Sequence, residues 1–128
     1  MLLKDNLEKT LPYLASLEIQ RKFIINGTKD EYLVPSEILN DVHGLLKKFI
    51  SNPDLSISMT QRQKNEILSL YQIFDAVAFK LPLQEPTVSN EDLIEHNHLW
   101  ASLRCGAKKC LDVFGFDLTT WEQNLLKK

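Results

Sequence analysis

The sequence predicts an all-α protein, a single compact bundle of five or six helices around a buried central helix. Three observations predict it. Apolar residues recur at the spacing of one helical face through most of the chain. No segment alternates apolar and polar residues for more than a few positions, as a half-buried strand would. Proline, glycine and Ser, Thr or Asn residues divide the chain into pieces of helical length.

In chain order, Leu2 to Leu7 forms a short amphipathic start. Thr10 or Leu11 then precedes Pro12, a residue suited to the first turn of a helix. Leu14, Leu17, Ile24 and Ile25, with Phe23 beside them, carry an apolar face to Asn26-Gly27, a pair that tolerates positive φ and stops helices. Thr28–Val34 connects, with a turn and a brief extended piece at Tyr32-Leu33-Val34. Pro35 and Ser36 start the next helix, whose apolar side is Ile38, Leu39, Val42, Leu45, Leu46, Phe49 and Ile50. Gly44 interrupts that pattern and marks an expected close helix crossing.

Ser51-Asn52-Pro53-Asp54 breaks the chain, and Ser58 or Thr60 can cap the long helix beyond it. Met59–Leu83 is that helix, the expected centre of the bundle. Apolar residues at Ile67, Leu70, Tyr71, Phe74, Val77, Ala78 and Leu81 line one face. Leu68, Ile73 and Phe79 widen it until only Ser69, Gln72 and Asp75 leave a polar stripe. Leu83–Val88 reads as a loop, and Ser89 to Asp92 as a capping box. The apolar period from Leu93 to Phe114 slips near His96-Asn97-His98, where a kink or restart is expected. Gly115 stops that helix, Thr119 or Thr120 caps the last one, and Trp121 clamps it to the body.

Composition narrows the function classes. The 128 residues fit one domain spanning 1–128, and 44% hydrophobic with 25% charged is ordinary for a globular protein. No apolar stretch approaches the ~20 residues that span a bilayer, so a cytoplasmic protein without membrane contact is expected. A net charge of −2 gives no global attraction to nucleic acid. Residues 65–128 hold nine acids and six Lys or Arg, against eight and nine in residues 1–64. From Lys80 to Arg104 there is no intervening Lys or Arg, while Glu85, Glu91, Asp92 and Glu95 are acidic.

Catalytic and metal chemistry find weak footing. His96 and His98 fall on opposite sides of a helix, and with Asp92 they supply too few ligands for zinc. Cys105 beside these histidines is a nonspecific pairing, and Cys105 and Cys110 point about 140° apart on a helix. Both thiols are expected to be buried and unbridged. Asp75 is a candidate tuned carboxylate, with the solvent stripe as the simpler role. No enzyme activity, cofactor or metal is expected.

Two stretches carry a family resemblance. One is Pro12-Tyr13-Leu14 followed by Phe23 through Pro35; the other is Leu93-Ile94-Glu95, Trp100, Leu111-Asp112, and Phe114 through Leu118 with Trp121-Glu122. Together they resemble small bacterial immunity proteins, in particular those of contact-dependent growth inhibition systems. The resemblance spans most of the chain and rests on helix-boundary residues, so it assigns no binding residue. It implies a cytoplasmic protein that binds and neutralises a cognate toxin domain, often a nuclease.

Charge gives a parallel argument. A nuclease site is electropositive, and acidic side chains that cover it raise on-rate and specificity. Glu85, Glu91, Asp92 and Glu95 are therefore the first candidates for a partner-facing surface. Tyr32, with Tyr13, is the rival surface, led by aromatic anchors. An alternative from another class is a helical adaptor or regulatory subunit that takes a partner helix or peptide in an apolar groove.

Overall fold

The computed structural model describes residues 3–52, 54, 59–83 and 89–127, without the side chains of residues 3 and 4. The chain is all-α and compact, with no strand among the described residues. Helix α1 spans Leu3–Ala15, and α2 spans Leu17–Gln20 and runs on as a π-helical turn, Arg21–Ile25. Next come helices α3, Pro35–Ser51, and α4, Gln61–Val77; a single 3-10 turn, Ala78–Lys80, ends α4. A second π-helical turn, Asp92–His96, leads into α5, His98–Val113, and α6 is Leu118–Leu126.

Four helices close a ring: α1 packs on α3, α3 on α4, α4 on α5, and α5 back on α1. Helix α2 packs on α6 beside it. The buried apolar side chains join in one cluster. Helix α5 packs on both α4 and α1 and buries Trp100, Leu103, Gly106, Ala107, Cys110 and Leu111. The expected central helix, α4, buries Ile67, Leu70 and Phe74, while Val77 is half-buried. Phe79 is 78% exposed and Leu68 40%, so the wide apolar circumference of α4 is not covered on every side. Helix α5 comes close to α4 at a small residue, Gly106.

Proline and glycine account for most of the other differences. Pro12 does not start a helix; it lies inside α1. An interior proline costs about 3 kcal/mol. Here Leu7, Leu11 and Leu14 are buried along the same face, and each contributes roughly 1.5–3 kcal/mol on burial, which outweighs that cost. Gly27 lacks a positive φ. It is instead a close approach, since a Cβ there would stand 2.5 Å from the Phe23 carbonyl oxygen and 2.9 Å from Tyr32 Cβ. Gly44 marks no crossing, because a Cβ there would meet nothing within 4 Å. The close crossing is at Gly106, where a Cβ would lie 3.0 Å from Leu70 Cδ1 and 3.1 Å from Ile73 Cδ1.

The helix ends obey side-chain chemistry. Thr60 and Gln63 form a reciprocal capping box at α4. Gln63 also donates from Nε2 to the Val113 carbonyl at 3.2 Å, tying the start of α4 to the end of α5. Asn97 caps α5 by accepting from the Leu99 and Trp100 amides, which is the expected restart. Gly115, at φ 74°, ends α5, with the Phe116 amide donating to the Leu111 carbonyl. Asp117, not a threonine, caps α6; its carboxylate accepts from both the amide and the hydroxyl of Thr120. Those bonds hold the Asp117 pKa below the usual carboxylate value.

Candidate partner-binding surface

The surface begins at the break between α1 and α2. Ser16 is buried and takes the N-cap of α2, its Oγ accepting from the Ile19 amide at 3.1 Å. The break leaves the Tyr13 and Leu14 carbonyls at the end of α1 without their helical donors. Gln20 Nε2 satisfies both, donating at 2.9 and 2.7 Å. Gln20 Oε1 accepts from Trp100 Nε1 at 3.0 Å, which fixes α2 on α5. Sequence reasoning misses Gln20. Its signal is a polar residue on the apolar side between Leu17 and Ile24.

The π turn starts at the next residue. The Asn26 amide and its Nδ2 both donate to the Arg21 carbonyl at 3.0 Å, closing the widened turn. Arg21 reaches the second π turn with a two-pronged ion pair, Nε to Glu95 Oε2 at 2.6 Å and NH2 to Oε1 at 2.9 Å. Its NH1 donates to Glu18 at 3.0 Å. The Arg21 guanidinium holds the Glu95 carboxyl below its ordinary range. Arg104 NH1 donates to the Ile94 carbonyl at 3.2 Å and braces the same turn.

Two exposed segments are tied to consecutive carbonyls of the first π turn. The Leu33 amide donates to the Phe23 carbonyl at 2.8 Å, so the loop after Gly27 folds back on the turn. Thr28 and Glu31 close that loop with two bonds, amide to carbonyl at 2.8 Å and amide to hydroxyl at 3.1 Å. Tyr32 projects from it, 61% exposed. On the other side, Asn90 Nδ2 donates to the Ile24 carbonyl at 3.5 Å. Glu91 and Asp92 come next in the chain and are exposed, and the Asp92 amide donates to Ser89 Oγ at 3.1 Å.

The tyrosine loop is a ridge between two clefts. A cleft of about 180 Å³ lies between α1 and α3 and is lined by Tyr13, Leu33, Val34, Glu37, Asp41 and Lys9 among others. A second cleft, of about 360 Å³, is lined by Arg21, Phe23, Asn26, Thr28 and Glu31 among others. Tyr13 and Trp121 pack in a T-shaped pair, with ring centroids 5.1 Å apart and planes at 90°.

The sequence candidates therefore separate. Tyr32, Glu91 and Asp92 flank one turn, whereas Glu95 is engaged by Arg21. Glu85 lies outside the described residues. Asp75 is exposed on α4. His43, on α3, stacks on Tyr71 and Phe74 of α4, centroids 5.6 and 5.5 Å apart. Cys105 is exposed, contrary to expectation, while Cys110 is buried; both are free thiols. The α5 stripe that faces the core carries Cys110 with Leu103 and Ala107, and Cys105 falls off it. Among the described residues, no group of three or more His, Cys, Asp or Glu side chains is arranged to hold a metal, and no helix is long and apolar enough to cross a membrane. Comparisons with protein-family models, curated proteins and solved structures give no match.

Proposed function

We propose that this chain is a cytoplasmic immunity protein that binds a cognate bacterial toxin domain, a nuclease, and covers its active site. The family resemblance of the Pro12–Pro35 and Leu93–Glu122 stretches suggests the partner class. The observation that carries the binding role is the placement of Tyr32 and the acidic pair Glu91 and Asp92 on either side of the turn Arg21–Ile25. An exposed aromatic supplies anchoring area, and adjacent carboxylates steer a basic surface toward it. The turn beneath them is braced by the Arg21–Glu95 pair and the buried Gln20–Trp100 bond, so the surface is preorganised.

The test is protection. Cells expressing a nuclease toxin domain encoded beside this chain should grow when the chain is co-expressed, and should stop growing when it carries Tyr32→Ala with Glu91→Lys and Asp92→Lys. Growth that is indifferent to the parent chain would refute the immunity role.

The adaptor alternative draws on Phe79 and Leu68, two exposed apolar side chains, one in the 3-10 turn that follows α4 and one in the middle of that helix. An adaptor that docks a partner helix there would lose binding with Phe79→Ala and keep it with Tyr32→Ala.

A further inference from the structure

We infer that the cleft between α1 and α3 receives an arginine side chain from the partner protein. The inference rests on the immunity reading only in taking the partner to be a protein. Two features of the cleft point to an arginine.

The first is its shape and lining. Tyr13, Leu33 and Val34 give apolar walls, and the Tyr13 ring packs against Trp121. Such walls suit the methylene stem of a long basic side chain, and an aromatic face attracts a guanidinium. The second is charge. Glu37 and Asp41 lie one helical turn apart on α3 and both line the cleft. Both are exposed, and neither forms an ion pair within 4.0 Å among the described residues, although Lys9 lines the same cleft from α1. Glu37 also sits in the first turn of α3, where the helix dipole favours an anion, which accounts for one of the two carboxylates. Asp41 is a turn beyond that region. Two carboxylates side by side match the planar, multiply donating guanidinium better than a point charge.

Position supports the same occupant. Leu33 and Val34 belong to the loop that projects Tyr32, so the cleft opens beside the exposed tyrosine. A partner that buries Tyr32 brings its neighbouring side chains to the cleft. A basic partner face would meet carboxylates at both places, Glu37 and Asp41 on one side of the ridge and Glu91 and Asp92 beyond the π turn.

The test uses the full chain and a small probe, so it does not depend on the toxin assignment. N-acetyl-arginine methylamide is titrated while amide and Tyr13 ring resonances are monitored by NMR. The neutral isostere N-acetyl-citrulline methylamide is the control. Saturable shifts at Tyr13, Leu33, Val34, Ile38 and Asp41 with arginine alone support the assignment. Glu37→Gln with Asp41→Asn should weaken the probe roughly fivefold, as for exposed ion pairs. Lys9→Gln should tighten it, because it removes a like charge from the wall. Equal shifts from the citrulline probe, or arginine shifts spread over all surface carboxylates without preference for the cleft, would overturn it. In either case the protection assay in cells still decides the immunity role separately.

Discussion

Trp100 donates its indole N–H to Gln20 across 3.0 Å in a place that solvent does not reach. The same glutamine donates to two carbonyls left open by the break after α1. One side chain thus satisfies three polar groups, and no buried side-chain nitrogen or oxygen among the described residues lacks a partner. The arrangement is what allows the chain to turn at Ser16 inside the body of the protein.

Gln20→Leu should accordingly be severe. It keeps the apolar contacts but leaves the indole N–H and the Leu14 carbonyl buried without partners, at roughly 1–3 kcal/mol each. A loss of about 2–4 kcal/mol in urea denaturation is expected. Trp100→Phe in the Gln20→Leu background should cost less than Trp100→Phe alone, because the indole N–H no longer has its acceptor. A loss under about 1 kcal/mol for Gln20→Leu would show that these groups find other partners.

The Arg21–Glu95 pair predicts a pH dependence. Arg21 lowers the Glu95 pKa in the folded chain below its ordinary 4.5. A carboxylate with a depressed folded pKa adds stability above its unfolded pKa and loses it as the pH falls through the folded value. The stability difference between the parent and Glu95→Gln should be constant near neutrality and shrink below about pH 4.5. Denaturation midpoints at a series of pH values check this. A difference that grows on acidification would mean that the pair is not formed in solution.

Two glycines in helix interiors predict opposite signs. Gly44 is exposed with open space around it, so Gly44→Ala should stabilise α3 by about 0.5–1 kcal/mol. Gly106→Ala places a methyl 3.0 Å from Leu70 Cδ1 and 3.1 Å from Ile73 Cδ1, so both side chains must shift to admit it. That substitution should cost roughly 1–3 kcal/mol. Thermal melts of both variants are sufficient, and equal shifts would mean that the α4–α5 crossing is looser than described.

The glycines also show where the sequence is informative. Periodicity locates the long helices, because burying an apolar stripe is the same requirement in every helix: Ile67, Leu70 and Phe74 lie in the core. It does not locate the close α4–α5 crossing, since Gly106 matters through what it omits. Pro12 misleads because local propensity counts for about 1–3 kcal/mol and packing can exceed it; Gly44 misleads because it sits on the exposed face of α3, where nothing crosses. The proposed binding surface is partly legible. Tyr32, Glu91 and Asp92 stand out by type and charge, but Arg21 as the partner of Glu95 lies 74 residues away, a distance no local pattern spans.

The two thiols should differ in reactivity. Burial pushes the Cys110 pKa up to about 12, so it carries no reactive thiolate near neutral pH. Cys105 is exposed. A thiol reagent should label one cysteine in the native protein and both after denaturation. For a thiol whose folded pKa is raised, the sign is a loss of stability at high pH. The unfolded chain ionises above about pH 9 while the folded one does not, so stability should decline from there upward. Rapid labelling of both thiols under native conditions would contradict the packing of α5.

On the proposed toxin-facing surface, the tyrosine and the acids should make separable contributions to binding. Glu91 and Asp92 are exposed, and charges at the edge of an interface act mainly on the rate of encounter. Reversing both to Lys should slow association of the toxin domain and flatten its salt dependence, with little change in dissociation. Asp92 offers its amide, not its carboxylate, to the Ser89 cap, so this reversal should leave the fold intact by circular dichroism. Tyr32 stands 61% exposed on a loop held by the Leu33–Phe23 bond, and an aromatic that enters a partner pocket acts on dissociation. Tyr32→Ala should speed dissociation and lower affinity by about 2 kcal/mol or more, while its melting temperature stays that of the parent. Stopped-flow association and surface-plasmon dissociation of the two variants distinguish these roles. Binding by the charge-reversal chain that matches the parent in rate and salt dependence would remove Glu91 and Asp92 from the interface. Unchanged dissociation of Tyr32→Ala would remove the tyrosine.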